Sequence, residues 1–246
     1  MADYDNRILR GAATTADTMD MGLRAHMLRV YNYMTGALAL TGVVAYVVAN
    51  TPALLNAFYQ MTPQGLQPTI LGWVVMFAPI AMVLLLSFRI QRMSQGAAQA
   101  TFWAYAALMG ASLSSILLVY TGASVALTFF VTAATFGTMS LYGYTTKRDL
   151  TGFGSFLFMG LIGLLIASLA NMFFQSPAVS FVVSILGVLI FTGLTAWDTQ
   201  KIKNTYYEVG RDGALAGKAA VMGALALYLD FINIFLFLLR FMGDRK

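Results

Sequence analysis

The sequence predicts an all-α membrane protein in which seven transmembrane helices form one bundle. Of its 246 residues, 59% are hydrophobic and 10% are charged, whereas a soluble domain carries about 25% charged residues. The apolar residues form seven long runs, most of them close to the roughly 20 residues that a helix needs to cross the hydrocarbon core. Lys and Arg residues are concentrated in alternate connections between these runs.

The predicted spans follow a polar N-terminal segment. Residues 1–23 contain four aspartates and two arginines but no apolar core, so we interpret them as a polar tail and not as a signal peptide. Residues 24–246 are predicted to form a single transmembrane domain. Its helices are expected at approximately residues 30–50, 70–88, 98–120, 123–144, 154–174, 178–200 and 219–241.

The charges of the connections predict the orientation of the chain. Residues 50–69, 121–123 and 175–177 contain no Lys or Arg, and the alternate connections contain nearly all of them. Because basic loops stay in the cytoplasm, we expect a cytoplasmic N-terminus. Seven crossings then place the C-terminus outside, although residues 240–246 include three basic residues. Either the last segment crosses completely, which its length favours, or it is re-entrant and both termini lie inside.

Composition also excludes several classes of function. Without cysteine, the chain has no disulfide, thiolate ligand or cysteine nucleophile. The net charge of +5 comes from short basic connections, which are expected to contact lipid headgroups and not nucleic acid. The single histidine, His26, precedes the predicted spans and is expected to be solvated. We therefore predict neither an enzyme nor a bound cofactor, with an intramembrane aspartyl protease as a distant alternative.

Only two acidic residues lie within the predicted spans, Asp198 in the sixth and Asp230 in the seventh. Asp230 is expected about 16 Å into its helix, near the middle of a hydrocarbon core about 30 Å thick. An aspartate there costs about 2.5–3.5 kcal/mol, so it must face the bundle interior, be protonated or be paired. Asp198 is expected nearer the cytoplasmic end. A short connection makes the two helices antiparallel neighbours, so the carboxyls can share a proton or offer oxygen ligands to Ca²⁺.

Each aspartate also has a purely structural interpretation. Asp198 is one helical turn from Lys201, with which it can form an ion pair at a hydrated helix end. Asn233 and Tyr228 lie close to Asp230 in sequence and are candidate partners of its carboxyl. Hydrogen bonds from these two residues to other helices are equally consistent with the sequence.

Two runs of residues surround the aspartates, Trp197–Ile202 (WDTQKI) and Leu227–Phe235 (LYLDFINIF). Together with the weaker matches Lys147–Leu150 and Asn171–Phe173, they resemble the Bax inhibitor family, also called the transmembrane Bax-inhibitor-motif family. The resemblance extends from the first span to Gly243. The run in the seventh span is its specific part.

The resemblance implies a bundle in which six helices surround the seventh, and a pH-sensitive Ca²⁺ leak across the inner (plasma) membrane of a bacterium. The paired aspartates of the family correspond to Asp198 and Asp230. A second-helix arginine that latches one of them corresponds to Arg89, or to Arg92 if the local alignment shifts. This chain lacks the acid that some relatives carry in the second span. Members are also described as regulators of stress and cell death, or as partners of membrane proteases.

Overall fold

The computed structural model describes residues 2–62, 65–209 and 212–246, and for residues 2–20, 61, 65 and 66 it describes the backbone only. The described helices are α1 Ala2–Asn50, α2 Pro52–Phe58, α3 Ile70–Arg89, α4 Gln95–Val119, α5 Gly122–Thr145, α6 Thr151–Phe174, α7 Pro177–Val209 and α8 Gly213–Met242. A small antiparallel hairpin, β1 Tyr59–Thr62 with β2 Gly65–Pro68, connects α2 to α3, and a 3₁₀ turn at Ile90–Arg92 follows α3. Among the described residues, seven helices are long and apolar enough to cross a membrane, which confirms the predicted fold class.

Polar side chains cap several spans where the chain turns back. Thr69, Ser94 and Thr121 each accept a hydrogen bond from a backbone N–H in the first turn of α3, α4 and α5. Asp212 accepts two such bonds at the start of α8. The first N–H groups of a helix have no partner within the helix, so these side chains stabilise helix starts at the predicted connections.

Two spans are longer than predicted. In α1, Leu23, Met27 and Val30 form a buried face, so the packed part of this span begins before the predicted residue 30. The sixth span, α7, continues to Val209, so most of the predicted polar connection after residue 200 is helical. Arg211 of that connection lies outside the described residues.

The spans alternate in direction, so the bundle has two ends. We call the end with Met21 and the connections after α3, α5 and α7 the N-terminal end. The opposite end, with the connections after α4 and α6, is called the C-terminal end. There the N–H of Thr121 donates to the carbonyl of Asp244 at 3.0 Å, and the N–H of Lys246 donates to the carbonyl of Val119 at 2.9 Å. The last helix therefore runs the full length of the bundle, as seven crossings require.

The last helix, α8, is the most buried span. In its most apolar 18-residue window, 61% of the residues are buried, compared with 17–44% in the other six spans. It packs mainly on α7, α1, α5 and α4, whereas α3 packs mainly on α4 and α6 mainly on α7. The expectation that all six other helices surround the last one is therefore not confirmed.

The histidine prediction was wrong. His26 is 5% exposed, and its ring centroid lies 5.3 Å from that of Tyr206. The reason is that α1 and α7 both extend beyond the predicted spans and pack together at the N-terminal end. His26 is therefore part of a helix contact and not a solvated residue.

Candidate functional site

Asp230 lies on the buried face of α8. Its side chain is 3% exposed, and its neighbours Tyr228 and Phe231 are also buried. At a rise of about 1.5 Å per residue, it is about 18 Å from the end of the helix at Met242. The sequence places the acid in this apolar helix, and tertiary packing turns it toward the interior of the bundle.

Asp198 of α7 is the neighbour of Asp230. The two carboxyl groups lie within hydrogen-bonding reach of each other, and Asp198 is partly buried. Because the side chains adjoin, both acids lie at the same level of the bundle. Asp198 lies 11 residues before the end of α7 at Val209 and 21 residues after its start at Pro177. Within its own helix it is therefore nearer the N-terminal end of the bundle, in agreement with the predicted position.

One oxygen of the pair has no hydrogen-bond donor among the described residues. Oδ2 of Asp230 is buried and receives no hydrogen bond from any described residue. Ionised carboxylates only accept hydrogen bonds, so a bond between the two acids requires a proton on one of them. Two unit charges about 4 Å apart repel each other by about 4 kcal/mol at an effective dielectric constant of about 20. The arrangement therefore favours one proton held between the two carboxyls.

Lys201 does not neutralise Asp198 through a direct contact. Its Nζ lies 4.9 Å from the ring centroid of Trp197, and the residue is exposed. It acts on Asp198 as a nearby charge, with no ion pair between them in the described structure. The structural interpretation of Asp198 as half of an ion pair at a helix end is therefore not realised here.

The two candidate latch residues lie away from the acid pair. Arg89 ends α3 and Arg92 lies in the following 3₁₀ turn. Both are exposed, and neither forms an ion pair with a described carboxylate. Since α3 packs mainly on α4, a latch between Arg89 and Asp198 requires a conformation in which α3 and α7 are closer. The latch stays a prediction.

Tyr228 and Asn233 form their hydrogen bonds away from Asp230. The hydroxyl of Tyr228 lies 2.7 Å from Oγ1 of Thr41. Thr41 Oγ1 donates to the carbonyl of Ala106 at 2.9 Å, which leaves Tyr228 as the donor to Thr41. Asn233 donates to the carbonyl of Leu229 on its own helix at 2.8 Å. Tyr228 thus connects α8 to α1 and α4.

A chain of hydroxyl groups begins one residue after Asp198. Thr199 Oγ1 donates to the carbonyl of Thr195 at 2.8 Å and lies 3.0 Å from Ser140 Oγ. Ser140 Oγ lies 2.6 Å from the hydroxyl of Tyr31. Because the proton of Thr199 is already donated, Ser140 donates to Thr199 and Tyr31 donates to Ser140. This chain of hydroxyls could not be identified from the sequence, because its members belong to three helices that are far apart in sequence.

Gln200 connects two of the segments on which the resemblance rests. Its Oε1 accepts from the N–H of Leu150 at 2.8 Å, and its Nε2 donates to the carbonyl of Arg148 at 2.8 Å. Next to this clamp, hydrogen bonds from Thr151 hold the pKa of the Asp149 carboxyl below its usual value. Lys147–Leu150 and Trp197–Ile202 therefore lie together and fix the start of α6 against α7.

A resident metal site would need more ligands than this site offers. The described residues contain no group of three or more His, Cys, Asp and Glu side chains that could hold a metal ion. Calcium takes six to eight oxygen ligands, of which Asp198 and Asp230 supply only part. Water, hydroxyl or carbonyl oxygens would have to supply the others.

These features define a seven-helix integral membrane protein with a buried acid pair on its last two helices. Residues 23–246 match the family model described as inhibitor of apoptosis-promoting Bax1. The chain is 50% identical over 246 residues, 100% of both chains, to an uncharacterised protein of Rickettsia prowazekii (strain Madrid E). It is 48% identical over 226 residues to the inner membrane protein YbhL of Escherichia coli (strain K12), covering 92% of this chain and 94% of that one. The chain belongs to this family, which confirms the resemblance inferred from the sequence.

Proposed function

We propose that the protein is a Ca²⁺-permeable leak channel of a bacterial inner membrane and that Asp198 and Asp230 make the leak sensitive to pH. The observation that carries the proposal is the buried carboxyl of Asp230, which adjoins a second carboxyl and has no basic partner among the described residues. Ionisable groups within membrane spans usually mark ion or proton pathways. The inner-membrane name of the E. coli relative supports the location.

The shared proton is the proposed lock. While one proton lies between the carboxyls, it connects α7 to α8 and the leak is closed. When the proton is lost, two negative charges face each other in a dry interior. Their repulsion of about 4 kcal/mol is large enough to shift a two-state equilibrium roughly a thousandfold, since each 1.4 kcal/mol is about a factor of ten. A divalent cation relieves the same repulsion, so the ionised pair attracts Ca²⁺.

The latch is a separate part of the proposal. Arg89 would stabilise the closed state by pairing with Asp198 when α3 approaches α7. Arg89→Gln is then expected to raise the leak, while Arg92→Gln, the same change three residues later, leaves it unchanged. Equal leaks in wild type and both variants would disprove the arginine latch. They would not bear on the proposal of a shared proton.

Calcium flux into proteoliposomes that contain a fluorescent indicator tests the acid pair. We expect the leak of the wild type to rise from acidic to neutral pH. Asp230→Asn, Asp198→Asn and the double variant remove titratable protons at nearly constant shape, so the pH response should disappear. Glu208→Gln is the matched control, because it removes an exposed acid from the same helix as Asp198. A double variant with the flux and pH response of the wild type would disprove the role of the pair.

A regulatory role through a bound partner is the alternative function. The family is described as an inhibitor of apoptosis-promoting Bax1, which is the description of a regulator. A membrane protease is one class of partner, and the polar residues 1–23 are the proposed docking segment. Pull-down from membranes with and without residues 1–23 tests this role. Unchanged recovery of the same partner after the deletion would rule out the segment as the docking site.

A further inference from the structure

A groove of about 770 Å³ lies at the C-terminal end of the bundle. Its walls are the last turns of α6, the first turns of α7 and the end of α8 with the following tail. Arg240 and Arg245 line the groove together with several uncharged polar side chains, among them Asn171 and Ser180, and apolar side chains line the rest. The groove is separate from the acid pair, which lies about 18 Å along α8 from its end.

Hydrogen bonds and a ring contact position the polar groups of the groove. Arg240 Nη2 donates to Ser180 Oγ at 3.0 Å, and Asn171 Nδ2 donates to the same oxygen at 2.8 Å. The guanidinium carbon of Arg245 lies 5.9 Å from the ring centroid of Tyr120. Both guanidinium groups are therefore held at the groove while their residues stay exposed.

The positive charge of the two arginines is not neutralised within the described part of the chain. Neither Arg240 nor Arg245 forms an ion pair with a described carboxylate. The acidic side chain at this end, Asp244, accepts a hydrogen bond from Ser124 at 3.4 Å. Two guanidinium groups at one groove suit a phosphate group, to which arginine can donate two parallel hydrogen bonds.

The apolar part of the groove identifies the class of ligand. Leu165, Leu169 and Phe181 line it and are 54%, 61% and 54% exposed. Leu165 lies about 15 Å along α6 from Gln175, so the apolar wall runs from the arginines toward the middle of the bundle. A free phosphate ion would leave this wall uncovered, whereas an acyl chain covers it.

We propose that this groove binds an anionic phospholipid, with the phosphate at Arg240 and Arg245 and an acyl chain along α6 and α7. An anionic headgroup is favoured over a zwitterionic one, because a choline group would bring a cation toward two arginines. The proposal also gives a role to the basic residues at the C-terminus. With a cytoplasmic N-terminus and seven crossings, the positive-inside rule would not place basic residues there. It is independent of the proposed leak.

Native mass spectrometry of the delipidated full-length protein tests the site. The protein is incubated with equal amounts of dioleoyl phosphatidylglycerol and dioleoyl phosphatidylcholine, and the bound lipids are counted. We expect the wild type to retain mainly phosphatidylglycerol. Arg240→Gln/Arg245→Gln should weaken this retention roughly 30-fold, at about 1 kcal/mol for each basic residue near an anionic lipid. Arg89→Gln/Arg92→Gln, the same change in charge at the opposite end, should retain the lipid like the wild type.

Further variants keep the result interpretable if the double variant does not fold. Arg240→Lys keeps the charge and should retain the lipid partly, while Leu169→Trp fills the apolar wall, keeps both arginines and should lose it. Equal retention of the two lipids by the wild type would overturn the proposal. Displacement of phosphatidylglycerol by inorganic phosphate would also overturn it, because the site would then recognise phosphate without the acyl chain.

Discussion

At the scale of single residues, the buried polar groups differ in whether they have a partner. The hydroxyls of Tyr228 and Ser140 are satisfied through hydrogen bonds between helices. Oδ2 of Asp230 and Nε2 of His26 are buried without a hydrogen-bond partner among the described residues. A buried polar atom without a partner costs about 1–3 kcal/mol. Asp230 differs from His26 because a second carboxyl adjoins it, so the two acids can share one proton.

Asp149, in the connection before α6, gives a residue-scale prediction on pH and stability. Hydrogen bonds from Thr151 lower the pKa of its carboxyl in the folded protein. A lowered folded-state pKa contributes stability above the unfolded-state pKa, and this contribution is lost as pH falls through the folded-state value. Asp149→Ala should therefore melt below the wild type at neutral pH, with a difference that shrinks as pH falls below about 4.

Melting temperatures of wild type, Asp149→Ala and Asp149→Asn over a pH series check this prediction. Asp149→Asn is the control, because its amide oxygen still accepts the N–H of Thr151 without a titrating charge. Its difference from Asp149→Ala should therefore not vary with pH. A gap between wild type and Asp149→Ala that stays constant down to acidic pH would contradict the assigned cause of the pKa shift.

At the scale of helices, two glycines of α5 differ in their surroundings. Gly143 lies in a close contact between helices, and Gly137 lies on an exposed face. A Cβ on Gly143 would collide with the backbone of Ala196 on α7, whereas a Cβ on Gly137 would meet no atom within 4 Å. Gly143→Ala should destabilise the protein by about 1–3 kcal/mol through overpacking. Gly137→Ala should be neutral or stabilise it by up to about 1 kcal/mol, because alanine favours helix.

Reversible unfolding in detergent or bicelles measures both changes. Because Ala196 lies two residues before Asp198, Gly143→Ala should also disturb the α5–α7 contact beside the acid pair. Equal stabilities for the two variants would contradict the close approach of α5 and α7. A loss of stability in Gly137→Ala alone would contradict the assignment of its position to open surface.

The helices and the acids were predictable from the sequence to different extents. The alternation of basic and uncharged connections located the spans, and the scarcity of acids singled out Asp198 and Asp230. The extension of α1 could not be predicted from hydropathy, because Arg24 and Arg29 interrupt the apolar run in the sequence although they lie on the exposed side of the helix. Tertiary packing determines the positions of the candidate arginines. It also determines which buried polar atoms have no hydrogen-bond partner, and neither property can be read from the sequence.

At the scale of the whole molecule, the two ends of the bundle carry charge for different reasons. The N-terminal end contains the short basic connections that predict orientation. At the C-terminal end, Lys246 Nζ donates to the carbonyl of Leu117 at 2.7 Å, and Arg240 bonds to Ser180. These contacts hold basic residues on the C-terminal side of the bundle, and no local sequence signal predicts them.

The orientation of the bundle can be tested with single cysteines, since the natural chain has none. Gly122 lies in the first turn of α5 at the C-terminal end, and Gly213 starts α8 at the N-terminal end. Both are exposed, and a Cβ at either position meets no atom within 4 Å, so neither substitution should disturb packing. If the N-terminus is cytoplasmic, a membrane-impermeant maleimide should label Gly122→Cys in intact spheroplasts and Gly213→Cys only after permeabilisation. Reversed labelling would show an inverted bundle, and labelling of both from outside would contradict the three crossings, α5, α6 and α7, that lie between the two positions.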